Sequence, residues 1–155
     1  MMSNFFSMRD VDGLAVVALV LGAGGDLVQR VHEGVVARGF PDVRPAHGFA
    51  FVRISHGGAT ASELADYLGT TRQAASQLVD ELESKGYVQR RPHPVDARAR
   101  LVTLTDRGWA CTRAAEQAAA DAVRPWAKAL GERRLRQLRE DLAKVAPAAR
   151  LRPIW

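Results

Sequence analysis

The stretch from Thr60 to Gly86 constrains this chain most, because its residue order suits two short helices joined by a tight turn. Thr60-Ala61-Ser62-Glu63 has the spacing of a reciprocal cap: the Thr60 hydroxyl accepts from the Glu63 N–H while Glu63 reaches back. Leu64, Ala65 and Leu68 form the apolar side of a helix that Gly69 stops. Thr71 then caps a second helix with Ala74, Ala75, Leu78, Val79 and Leu82 facing inward, and Gly86 ends it. This is the pattern of a helix-turn-helix. After Gly86 the helical period gives way to alternation: Tyr87–Arg91 and Leu101–Thr105 are predicted strands, with Val102 and Leu104 on one face. Pro92, Pro94 and Asp96 lie between them in a loop too long for a two-residue hairpin. A basic hairpin behind two helices makes the winged form of the motif.

The flanks read as helix. Residues 9–38 carry Leu14, Val17, Leu21, Val28, Val31 and Val35 at the mixed spacing of a buried stripe, interrupted at Gly22, Gly24 and Gly25, where a bend is expected. The apolar run into Gly22-Ala23-Gly24-Gly25 is a poor nucleotide-binding turn, since Leu27 stands where a third glycine belongs and no βαβ unit surrounds it. Gly39 to Pro45 is a turn opening a short helix to about Ile54, which buries Phe49, Val52 and Phe51. Asp106 or Arg107 opens a long helix bearing Trp109, Ala115, Ala118, Ala119, Ala122, Val123 and Trp126, with a kink expected at Pro125. A final helix from about Glu132 sets Leu135, Leu138, Leu142 and Val145 on one stripe. The expected fold is mainly α with a small β-hairpin wing (α+β).

Composition removes several function classes. A chain of 155 residues suits one domain, and with 47% hydrophobic residues and seven prolines it is no disordered or collagen-like chain. Its one cysteine, Cys111, excludes an internal disulfide and zinc sites of paired cysteines. His32, His47, His56 and His93 lack metal-ligand spacing, so no metal is expected. There is no phosphate loop, nucleophile elbow or HExxH, hence no catalytic residues, no cofactor and no enzyme are expected. The longest uncharged run, Gly13 to Gly25, falls short of the roughly 20 residues of a membrane span. Asp10 and Asp12 precede it where a signal peptide would be basic, and the expectation is a soluble cytoplasmic protein without membrane contact.

A net charge of +5 favours an anionic partner, and its placement is more telling. An isolated helix prefers acids first and bases last. Thr71 to Val79 holds no acid and one arginine, whereas Asp80, Glu81 and Glu83 come late. That order suits an N-terminal half that meets phosphates and base edges. Its exposed residues, Thr71, Arg72, Gln73, Ser76 and Gln77, have the reach and chemistry for this: arginine forks to guanine, glutamine pairs with adenine, hydroxyls take either. In the wing, Arg90, Arg91, Arg98 and Arg100 face one acid, Asp96. Arg98, just past the tip, suits a minor groove, and Arg90 and Arg91 suit phosphates. Asp96 also reads as a turn residue bonding its own backbone.

SELADYLGTTRQAASQLVDELESKGYVQRR and DARARLVTLTDRG, within Thr60 to Gly108, resemble the winged-helix core of the MarR (multiple antibiotic resistance regulator) family of transcription factors. The resemblance implies a homodimer on a pseudo-palindromic double-stranded DNA site, usually a repressor released by a small aromatic or lipophilic effector or an oxidant. It implies one MarR-like domain over 1–155, with a dimerisation helix at 9–38, a DNA-binding lobe at 45–105 and dimerisation helices at 106–146. By motif position Thr71, Arg72, Gln73, Ser76 and Gln77 become the major-groove set. Asp96 and Arg98 become the wing pair, the acid orienting the arginine. Ala97 departs from the pattern, which often has a second arginine there. An effector pocket is implied between the dimer helices and the lobe, with His47 and Phe51 as conceivable lining, although Phe51 reads first as ordinary core packing. Redox relatives carry their thiol near the chain's beginning; Cys111, in the long helix after the wing, reads as a buried small residue. Two alternatives stay open: a winged-helix module for protein contacts, and an enzyme with an unrecognised site.

Overall fold

The structure, a computed structural model, describes residues 8–146; both ends of the expected 1–155 domain lie outside the described residues. In chain order the elements are α1 (Met8–Ala37), α2 (Pro45–Ser55), α3 (Ala61–Leu68), α4 (Arg72–Ser84), β1 (Val88–Pro92), β2 (Arg100–Leu104), α5 (Asp106–Leu130) and α6 (Glu132–Val145).

The local chemistry of the lobe is as the sequence dictates. Glu63 N–H donates to Thr60 Oγ1 at 3.2 Å, and Thr60 N–H to Glu63 Oε2 at 2.7 Å. Gly69 ends α3 at φ 63°, a left-handed conformation that only glycine takes without cost. The Thr71 hydroxyl accepts from Ala74 N–H at 3.1 Å and starts α4. β1 and β2 pair antiparallel, Val88 opposite Leu104 and Pro92 opposite Arg100. Both strands lie one residue from their expected bounds, since Tyr87 and Thr105 serve helix ends instead. Tyr87 N–H closes α4 on the Leu82 carbonyl at 2.9 Å, and the Thr105 hydroxyl oxygen caps α5 by accepting from Gly108 N–H at 3.2 Å. Ala59 and Val102 exchange two backbone bonds, at 3.0 and 2.8 Å, which fix the hairpin to the turn before α3.

The core lies under this hairpin. Phe51, Ile54, Leu64, Val79, Leu82, Tyr87, Val88 and Val102 are buried together, and Val35, Cys111 and Ala118 extend the cluster towards α1 and α5. Gly108 is required where α5 meets β1: a Cβ there would lie 2.2 Å from the Tyr87 carbonyl oxygen. This is a physical reason for a glycine after the Leu-Thr that ends the wing.

The outer helices depart from expectation. The departure lies in burial and not in continuity: α1 spans Gly22-Ala23-Gly24-Gly25 and α5 continues past Pro125, each as one helix. The expected buried stripe of α1 is largely exposed: Leu14 is 71% exposed, Val17 and Leu21 are more than half exposed, and only its Val35 is fully buried. The reason is reach. α1 meets α5 near its C-terminal end, where Arg38 donates to Asp121 at 2.5 Å, and among the described residues little covers its apolar side chains from Leu14 to Leu21. The α6 stripe fares similarly, with Leu135 and Leu138 half-buried and Leu142 and Val145 exposed. Val52 and Trp109 are also more open than their patterns suggested. Because α1 is continuous, Gly13–Ala37 is long and apolar enough, at mean hydropathy 1.6, to cross a membrane by length and composition. The shorter uncharged run had suggested otherwise.

Candidate nucleic-acid interface

At the start of α4, Arg72, Gln73 and Gln77 are exposed and Ser76 is half-buried. The Arg72 side chain makes no ion pair among the described residues, so its charge is available. Thr71 is exposed too, but its oxygen already accepts from Ala74, leaving its O–H to donate outward. The late acids have partners. Asp80 and Glu83 both engage Arg90, which donates to Asp80 Oδ1 at 2.5 Å and to Glu83. The backward charge order of α4 therefore has a second, internal cause: its acids bind cations of the lobe itself.

That pairing separates the wing arginines. Arg90, expected to hold phosphates, is committed to α4 and braces the wing against it. Arg91, Arg98 and Arg100 are exposed, with no ion pair among the described residues. Asp96 accepts from Arg98 N–H at 2.9 Å, and its carbonyl accepts from Ala99 N–H at 3.0 Å. It shapes the tip through the backbone rather than through the guanidinium. His93 Nδ1 accepts from Val95 and Asp96 N–H at 3.2 and 3.1 Å and holds the other side of the loop.

Sequence reasoning missed two polar networks behind this surface. Tyr87 donates to Asp42 Oδ1 at 2.6 Å, and Arg107 lies over its ring at 4.6 Å. Burial, then the bond to Asp42, pushes the Tyr87 hydroxyl up to about 12. The Tyr87 hydroxyl in turn holds Asp42 below the usual carboxylate range. In the second network Glu81 of α4 accepts from Lys85 at 2.7 Å and from Arg44, and faces His47 Nε2 at 3.3 Å. The Lys85 bond above all, with His47 and Arg44, holds Glu81 down at about 2. His47 is fully buried, and its Nδ1 accepts from Arg44 N–H at 3.0 Å, so the neutral ring carries its proton on Nε2, towards Glu81. Burial lowers its pKa against the pull of Glu81. The signals were present as Lys85 four residues after Glu81 and as an arginine before Pro45.

Arg44 also borders a cavity of about 480 Å³ between α1, α2 and α5. Val28, Val31, Val35, Phe51 and Ala115 form its apolar wall, and His32, His56 and Glu116 are among its polar lining. Phe51 lines it while packed in the core, the role that weighed more for it; His47, the other conceivable lining residue, stands behind Arg44. Cys111 also lines it, 1% exposed, its thiol pushed by burial up to about 11. No group of His, Cys, Asp and Glu suited to a metal occurs among the described residues.

A helix-turn-helix followed by a hairpin packed on its second helix defines a winged-helix protein. A profile of the MarR family matches residues 43–99, and the chain shares the winged-helix fold of that family's transcriptional regulators. A MarR variant from E. coli, solved with operator DNA, is 26% identical with a TM-score of 0.70, over 94% of this chain and 100% of that one. CouR from Rhodococcus jostii RHA1, solved with p-coumaroyl-CoA, is 22% identical with a TM-score of 0.66, over 86% and 92%. A curated relative, riboflavin kinase of Thermoplasma volcanium, is 41% identical over 49 residues, 32% of this chain. The chain covers 21% of that relative's length.

Proposed function

We propose that this chain is a sequence-specific double-stranded-DNA-binding regulator, a repressor that grips a pseudo-palindromic operator as a homodimer and is released by a small effector. One observation carries the reading: Arg72 on the acid-free start of α4 and Arg98 on the wing are both exposed and without an ion pair among the described residues, while the other charges of α4 are neutralised within the lobe. Arg72, Gln73, Ser76 and Gln77, with the Thr71 hydroxyl, form the major-groove set. Arg98 enters the minor groove and Arg91 and Arg100 take phosphates. Asp96 shapes the tip; Arg90 acts as a brace. The operator complex of the E. coli MarR variant supports the DNA partner.

Residues 45–105 serve as the DNA-binding lobe, with 9–38 and 106–146 as the dimerising elements of a single domain. The exposed apolar length of α1 and the uncovered stripe of α6 supply the surface for a second copy. Two lobes reach successive major grooves when their recognition helices stand about 34–36 Å apart. The cavity between α1, α2 and α5 takes the effector, and Arg44 links its edge to Glu81 of α4. A soluble dimer of this kind works in the cytoplasm.

The test is to select genomic fragments bound by the full chain and to footprint them. The expected result is an inverted repeat with half-sites about one helical turn apart, or a multiple of it. Failure to enrich any DNA over a random pool, with the protein folded, favours a winged-helix module for protein contacts. Sedimentation showing only monomer at micromolar concentration rejects the dimer.

A further inference from the structure

We propose that His93 is a positioning residue of the wing: as a neutral imidazole it holds the tip in the shape that presents Arg98, and its protonation releases that tip. The weaker grip on DNA that follows in acid rests on the regulator reading; the release of the tip does not. His93 Nδ1 accepts from two backbone N–H groups at once, Val95 at 3.2 Å and Asp96 at 3.1 Å. Those donors, two and three residues on, are the ones that an asparagine opening a turn would bond, and Pro94 suits the turn's second position. Asp96, so placed, accepts from Arg98 N–H at 2.9 Å, and His93 N–H donates to the Ala99 carbonyl at 3.3 Å. The ring thus shapes the residue that shapes Arg98.

An acceptor that takes up a proton loses this role. Nδ1 offers one lone pair, so the neutral ring carries its proton on Nε2, and a second proton must land on Nδ1, facing two donors. Histidine is the side chain whose ordinary titration falls between roughly pH 5 and 8. Glu63 at the start of α3 lies within electrostatic reach of the ring: the Thr60 N–H above all, then Arg53 and His93, hold its carboxyl below the ordinary value. A released imidazolium has this carboxylate to turn to, beside Arg53 of α2, which pairs with Glu63 at 3.0 Å. Within the hairpin the charged neighbours are Arg91, Arg98 and Arg100 and one acid, Asp96, whose carboxylate is already bonded to Arg98 N–H.

The test measures the affinity of the full chain for a selected genomic fragment, at fixed salt and at about pH 7.5 and about pH 5.5, for wild type, His93→Asn and His93→Ala. Asparagine Oδ1 keeps the acceptor and does not titrate in this range. His32, His47 and His56 are common to all three chains and cancel in the ratios. Acidification should weaken the wild type about threefold to tenfold relative to His93→Asn, the worth of one or two net hydrogen bonds. His93→Ala should bind about threefold or more weaker than wild type at the higher pH and show no further loss relative to His93→Asn. In the DNA-free chain the Val95 and Asp96 amide proton resonances should move upfield as His93 titrates, and stay in place in His93→Asn. Parallel pH profiles for wild type and His93→Asn overturn the proposal, as do an alanine variant that binds like wild type and amide resonances that ignore the His93 titration. If the folded chain binds no fragment at either pH, the regulator reading fails, and the amide titration still decides the release of the tip.

Discussion

Replacing Glu81 by glutamine keeps the shape of the side chain and removes the charge on which Arg44, His47 and Lys85 converge. A carboxyl lowered from 4.5 to about 2 sets a ceiling of about 3.4 kcal/mol, at about 1.36 kcal/mol per pH unit. The side chain is 32% exposed, and water screens such contacts, so the expected loss is about 1–2 kcal/mol. The sign of the pH dependence follows from the direction of the shift. A carboxylate with a depressed folded pKa contributes in full above its unfolded value of 4.5 and loses its contribution as pH falls through the folded value. Urea unfolding of both proteins should therefore show Glu81→Gln less stable by about 1–2 kcal/mol at pH 7, with the gap about 1 kcal/mol smaller at pH 3.5 than at pH 5. Buried His47 acts over a higher window: with its folded pKa lowered, the stability from keeping it neutral is complete above 6.5 and declines below it. A stability gap that is the same at pH 5 and pH 3.5 would refute the charge-based account of this hub.

Other substitutions test other links. Gly108→Ala forces a Cβ towards the Tyr87 carbonyl at 2.2 Å and should cost about 1–3 kcal/mol in urea unfolding; a cost under about 0.5 kcal/mol contradicts the tight α5–β1 contact. Arg90→Ala should lower stability by roughly 0.5–1 kcal/mol and leave the salt dependence of DNA binding unchanged, since its charge is already spent on Asp80 and Glu83. A flattened salt slope would return Arg90 to the phosphate contacts. Cys111→Ser should not alter the response of DNA binding to peroxide, because the thiol is buried and pushed up to about 11; peroxide-driven release that this change abolishes would make Cys111 a sensor.

The lobe was legible because its signals are local. The Thr60–Glu63 cap, the Gly69 stop, the Thr71 cap and the alternation of Val102 and Leu104 each depend on residues a few positions apart. Strand ends slipped by one residue because Tyr87 and Thr105 answer to helix ends, a demand that alternation does not carry. Burial of α1 was misread for a different reason: periodicity says that a face wants covering, not which surface covers it, and most of that face has no cover among the described residues. The α4 surface could be picked out by residue type, whereas the fate of Arg90 could not. Whether an arginine is free depends on acids seven and ten residues away, brought into reach by the hairpin.

The central claim is that unpaired guanidinium groups on α4 and the wing hold one DNA duplex together. It is tested most directly by measuring affinity for the selected operator as a function of salt, for the wild-type chain, Arg98→Ala and Arg72→Ala. Arg98→Ala is predicted to flatten the plot of log affinity against log salt by about 1 per engaged lobe. Arg72→Ala should cost about 1–3 kcal/mol and relax base preference in its half-site. Affinity and slope unchanged in both variants would contradict the account.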